Sequence, residues 1–116
     1  MMLTIHGIKT SDTMKRARTW LDDHGIAYVF HDYKVSGIDR QSLERWCAAK
    51  GWDTVLNRAG TTFRKLDEAA KSGLDQDKAI ALMLEQPSMI KRPMLEGEGV
   101  LVVGFKPEIY AAELKA

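Results

Sequence analysis

At 116 residues, with 45% hydrophobic and 28% charged residues and a formal net charge of +1, the chain has the size and composition of one globular domain that buries a core. The near-neutral balance excludes a strong field for nucleic acid or a membrane surface, and no apolar run approaches the roughly 20 residues that cross a bilayer. A single cysteine, Cys47, leaves no internal disulfide, no multi-cysteine zinc site and no two-thiol redox cycle within this chain.

Met1-Met2-Leu3-Thr4-Ile5 is too short for a signal peptide and runs straight into a turn, so a cytoplasmic location is the expectation. Leu3–Ile5 reads as a first strand. Thr10, Ser11 or Asp12 can cap the helix that follows, whose apolar residues Met14, Ala17 and Leu21 fall at helical spacing with Trp20 beside them. His24-Gly25 ends it. Ala27–Tyr33, rich in aromatic and β-branched residues, predicts a second strand, and the β-α-β unit should be parallel and right-handed.

Asp39 predicts the cap of a second helix with Leu43, Trp46 and Cys47 on one face and Gly51 past its end. Trp52–Arg64 is less regular, with a loop over 57–62. A short helix is expected over Leu66–Ser72, then a stronger one over Gln76–Gln86, capped by Asp75 and stopped by Pro87. The stretch from Ile90 to Leu95 leads into a third strand, Glu96–Gly99 forms a turn, and Val100–Val103 is a fourth strand, giving an antiparallel hairpin. Pro107 opens a last helix reaching Leu114. This order predicts a single α/β domain over residues 1–116: a mixed four-stranded sheet with flanking helices and a helical insert over about 39–86.

Ser11 sits where a strand gives way to a helix. Backbone N–H groups and the positive end of a helix dipole converge there. The plain reading is an N-cap serine; the other is a reactive position whose field would lower the pKa of a thiol. Cys47, mid-helix beside Trp46, reads as core. His6, His24 and His31 show no metal-ligand spacing, and Met83, Met89 and Met94 read as core filler.

Five segments in register resemble one family. They are Gly-Ile-Lys-x-x-Asp-Thr-Met-Lys at 7–15, His-Asp-Tyr-Lys at 31–34, Leu-Asn-Arg-Ala-Gly-Thr-Thr-Phe-Arg-Lys-Leu at 56–66, Gln-Pro-Ser-Met-Ile-Lys-Arg-Pro at 86–93 and Val-Gly-Phe-Lys-Pro at 103–107. The chain resembles the arsenate reductase-like (ArsC/Spx) family of the thioredoxin superfold, in its short YffB-type branch. That resemblance implies a thioredoxin-like fold and a nucleophilic cysteine at the position of Ser11. It implies an oxyanion such as arsenate, or a thiol substrate, with glutathione as co-substrate, glutathione or glutaredoxin as redox partner, and no bound cofactor or metal.

By segment matching, Arg58 and Arg92 join Ser11 as the catalytic set. Lys9, Thr10, Asp12, Pro93 and Lys106 form the substrate-binding set, with Pro93 resembling the cis-proline of thioredoxin folds. Arginine suits an oxyanion because its planar fork donates two parallel hydrogen bonds. Serine cannot replace the thiolate, because its hydroxyl pKa lies far above a thiol's and it cannot cycle through disulfides. The expectation is therefore a reductase scaffold without thiol-dependent turnover, acting as a monomer. The alternative is a non-catalytic protein that binds glutathione, or one that grips RNA polymerase as regulatory family members do. Those regulators resemble a Cys-x-x-Cys arrangement, and positions 11 and 14 here are Ser and Met.

Overall fold

The computed structural model of the chain describes residues 2–116. They form two compact units, one running up to Ser36 and resuming at Arg92–Ala116, the other spanning Gly37–Lys91.

The first unit carries the sheet. Strand β1 (Thr4–Gly7) leads to helix α1 (Asp12–Asp23), then strand β2 (Val29–Asp32) and the single turn α2 (Tyr33–Ser36). After the second unit come β3 (Met94–Gly97), β4 (Val100–Val103) and a C-terminal helix (Pro107–Leu114). The strand order is β2-β1-β3-β4. β1 pairs parallel with β2, and antiparallel with β3, which pairs antiparallel with β4. Alternation along the strands sends Ile5, Leu95 and Val102 into one core with Met14, Ala17 and Leu21 of α1 and Tyr110 of the C-terminal helix. On α1 these buried positions recur every three or four residues, one face of a helix.

Gly7 is the close contact of this core. A Cβ built on it would overlap Met14 Sδ, so the absent side chain lets α1 lie directly on the end of β1. On the other face of the sheet His6 is buried. Its Nε2 lies 3.8 Å from Glu96 Oε1, and its ring meets His31 edge-on.

The second unit is helical. It holds α3 (Arg40–Lys50), α4 (Trp52–Val55), α5 (Thr61–Arg64), α6 (Glu68–Lys71), α7 (Gln76–Glu85) and a 3-10 turn at Pro87–Met89, so the C-terminal helix is α8. Leu43, Trp46 and Cys47 of α3 and Ala79, Ile80 and Met83 of α7 are buried. Cys47 is 3% exposed, and burial pushes its thiol pKa up. Asp39, Asp67 and Asp75 cap α3, α6 and α7, accepting from the amides of Ser42, Ala70 and Lys78.

Several expectations are corrected at their ends. β1 runs on to Gly7. The predicted second strand stops at Asp32, because the Asp32 carboxylate accepts the Lys34 amide at 3.0 Å and the Val35 amide at 3.4 Å and turns the chain into α2. The stretch from Ile90 leads into β3, which begins at Met94; before it, Ile90 bridges Leu56 and the Lys91 amide donates to the Val55 carbonyl at 2.9 Å, both within the second unit. The hairpin turn is tighter than expected. Gly97 still pairs with Val100, which leaves Glu98-Gly99 as the turn, with Gly99 at φ 74°. The short helix expected from Leu66 begins at Glu68, after its cap Asp67, and the irregular stretch holds α4 and α5.

Candidate functional site

Strand register brings four segments to one edge of the sheet in the first unit. Gly7 at the end of β1 lies opposite Asp32 at the end of β2. His6 lies opposite Met94, so β3 begins where β1 ends. Met94 in turn lies opposite Val103, and just beyond it the Gly104 amide donates to the Pro93 carbonyl at 2.8 Å. The loop over 8–11, the corner Asp32-Tyr33, the pair Arg92-Pro93 and the segment 104–106 therefore share that edge.

Of the three residues open as the cap of α1, Ser11 is the one used. Its backbone is extended (φ −70°, ψ 131°), and the Met14 amide donates to its Oγ at 3.4 Å. Its own amide donates to the Ile8 carbonyl at 3.1 Å, and its carbonyl accepts from Lys15 at 3.0 Å. Ser11 is half-buried and is the residue on which the loop becomes helix. Helix geometry leaves the amides of Asp12 and Thr13 without intrahelical acceptors, so the positive end of the α1 dipole opens beside the Ser11 hydroxyl. Asp12 is the first helical residue and exposed, and its carboxylate favours the dipole. Thr10 and Lys9 are exposed in the loop. The Lys9 amide donates to Asp32 Oδ2 at 3.4 Å.

Arg92 and Pro93 stand at the head of β3. The peptide between them is cis, and Pro93 is buried. Arg92 is half-buried, and its guanidinium is hydrogen-bonded to Tyr33, whose side chain is fully buried. Burial pushes the Tyr33 phenol well above its usual pKa, against the pull of Arg92, with the Asp32 carboxylate adding to the rise. Tyr33 is thus a neutral partner for a cation. Lys106 is the exposed N-cap of α8, beyond Gly104 at the same edge.

The edge of the first unit therefore brings together Ser11, Lys9, Thr10, Asp12, Arg92, Pro93 and Lys106. Arg58 belongs to the second unit, in the loop before α5, with its guanidinium 5.7 Å from the centre of the Trp52 ring. Cys47 also lies in the second unit, in the core of α3. Two residues carry more of this edge than their sequence suggested: Asp32 and Tyr33. The segment His-Asp-Tyr-Lys was visible as a motif, and an aspartate two and three residues ahead of the amides it accepts is a recognisable turn signal. The Tyr33–Arg92 bond spans 59 positions and leaves no local trace.

A four-stranded mixed sheet, a helix starting just past β1 and a cis-proline at the head of β3 define a thioredoxin-like α/β protein. The chain belongs to the ArsC family, whose family model matches residues 6–112. It is similar to a solved YffB protein, at 69% identity and a TM-score of 0.94 over 97% of this chain and 98% of that one. It is also similar to a solved arsenate reductase (ArsC) related protein from Brucella melitensis, at 57% identity and a TM-score of 0.77 over 100% and 97% of the two chains. At greater distance it is 22% identical over 109 residues to the global transcriptional regulator Spx of Streptococcus pneumoniae, covering 92% of this chain and 81% of that protein.

Proposed function

We propose that the sheet edge at Ser11 binds a small oxyanion or a thiol-bearing peptide such as glutathione, on a reductase scaffold whose nucleophile position is occupied by serine. The observation that carries this reading is the convergence of the N-terminus of α1 with Arg92 and the cis-peptide at Pro93. Amides at a helix start favour negative charge, and an arginine fork matches the two oxygens of arsenate or a carboxylate. Lys9 and Lys106 add point charges at the same edge. Arg58 is the further cation assigned to this function by the family resemblance.

The chemistry stops at Ser11. A thiolate there would attack the oxyanion or exchange with a mixed disulfide, and glutathione or glutaredoxin would restore it. The serine hydroxyl stays protonated at neutral pH and forms no disulfide, so this chain binds without thiol turnover. Cys47 does not substitute, since it is buried with its pKa raised. The test is a side-by-side assay of the chain and its Ser11→Cys variant for reduction of a glutathione mixed disulfide. The expected result is no reduction by the first and reduction by the second. Turnover by the unaltered chain, or none by the variant, counts against the assignment.

A second reading is a binding role in transcription, favoured by the missing sulfur at position 11 together with the similarity to a protein named as a regulator. The residue three positions on, Met14, is buried in the core, so a two-thiol switch is not part of that reading. Enrichment of RNA polymerase with the tagged chain from cell extract would support it.

A further inference from the structure

The motif His-Asp-Tyr-Lys at 31–34 has no role in the function proposed above, yet two of its side chains reach the two halves of the candidate site. Asp32 Oδ2 accepts the Lys9 amide at 3.4 Å, while Oδ1 accepts the amides of Lys34 and Val35. Tyr33, the next residue, is fully buried and bonded to Arg92. The chain reverses at this corner, because Asp32 ends β2 and Tyr33 begins α2. One two-residue step therefore fastens the loop before α1 and the arginine before β3.

We propose that Asp32 and Tyr33 are the positioning residues of the anion site: Asp32 fixes the loop that carries Lys9 to Ser11, and Tyr33 aims the Arg92 guanidinium. This rests on the reading of that edge as an anion site. The choice of groups fits the task. A carboxylate partner would orient Arg92 but neutralise its charge. A phenol accepts an N–H without cancelling the charge, and a guanidinium carries five N–H donors, so one such bond does not exhaust it. The Asp32 carboxylate would repel an anion, but it faces three backbone amides that offset its charge locally. Burial of the ring gives Tyr33 a single fixed place from which to hold Arg92, and a lost hydroxyl leaves the ring packing intact.

The experiment is calorimetric titration with sodium arsenate at fixed ionic strength. It uses the intact chain, Tyr33→Phe, Arg92→Met, the double variant of those two, and Asp32→Asn both alone and with Arg92→Met, each first shown by its thermal transition to be folded. Tyr33→Phe is expected to weaken arsenate about tenfold or more, the scale of a hydrogen bond to a charged group. Arg92→Met should weaken it further. In the Arg92→Met background, Tyr33→Phe should change nothing more, because a residue that acts through Arg92 has no effect once Arg92 is gone. Asp32→Asn should weaken binding by the same factor in both backgrounds, since it acts through the loop, and it tests that arm even if Tyr33→Phe is unfolded. Tyr33→Phe binding as tightly as the unaltered chain, or costing the same factor with and without Arg92, overturns the role of Tyr33. An unchanged affinity in Asp32→Asn overturns that of Asp32. No arsenate binding by the unaltered chain overturns the anion site itself, and this inference with it.

Discussion

Replacing Ser11 by cysteine puts a titratable probe at the helix start. The position is half-buried, so desolvation raises a thiol pKa little. Two effects lower it. The dipole of a 12-residue helix favours an anion at its N-terminus by about 0.3–1 kcal/mol. The Met14 amide, already aimed at Ser11 Oγ, would become a charge-assisted donor to the thiolate, worth about 1.5–3 kcal/mol. Together they amount to roughly 2–4 kcal/mol, or about 1.3–3 pH units below the free value near 8.5. The introduced thiol should therefore titrate at about 5.5–7. The ultraviolet absorbance of the thiolate against pH reads this directly, with the unaltered chain subtracted to remove Cys47, whose thiol is pushed upward. The same shift sets a stability signature. The folded-state pKa lies below the unfolded one, so the contribution is fully present above about 8.5 and is lost as pH falls through the folded value. The variant should gain stability relative to the unaltered chain as pH rises from that folded value to about 8.5, by roughly 1.4 kcal/mol per unit. A thiol that titrates at or above its free value refutes the idea that this loop and helix start stabilise negative charge.

Other substitutions probe the supports of the site. Ser11→Ala removes the cap of α1 and should cost about 1 kcal/mol by urea denaturation, whatever its effect on ligands. Gly7→Ala sets a Cβ against Met14 Sδ and should cost about 1–3 kcal/mol by overpacking; combining it with Met14→Ala should cost less than the two changes summed. Cys47 should resist alkylation in the folded chain and react at the rate of global unfolding, which mass spectrometry follows. Asp39→Ala should cost about 1 kcal/mol at neutral pH. Bonding to Ser42 lowers the Asp39 carboxyl pKa, so that cost should vanish as pH falls through the lowered value, as acid-melting curves would show.

The helices were legible where a local signal marks both ends. Asp39 and Asp75 announce α3 and α7 because an N-cap acts within three residues, and Gly51 and Pro87 mark their ends. The hairpin of β3 and β4 was legible from its glycine turn. The single-turn helices α2, α4 and α5 were not, because four residues give too little periodicity to read. The end of β2 depends on which way the Asp32 carboxylate turns, and the start of β3 on Ile90 having paired with Leu56. Ser11 was legible as a junction residue, and the structure makes it the cap. Its meeting with Arg92 and Pro93 follows only from strand register, which joins residues some 90 positions apart. The Tyr33–Arg92 bond is the same kind of fact, a tertiary contact between two ordinary residues.

On the proposed reading, the edge holding Ser11 binds ligand in the chain as it stands, serine included. The most direct measurement is a titration of the unaltered chain with reduced glutathione, following backbone amide resonances residue by residue. Shifts that saturate together at Lys9–Thr13 and at Arg92 and Met94 are the predicted result. Shifts confined elsewhere, for instance to the cleft lined by Thr61, Thr62, Lys65, Leu66 and Gln86 in the second unit, or no saturable shift at all, would contradict it.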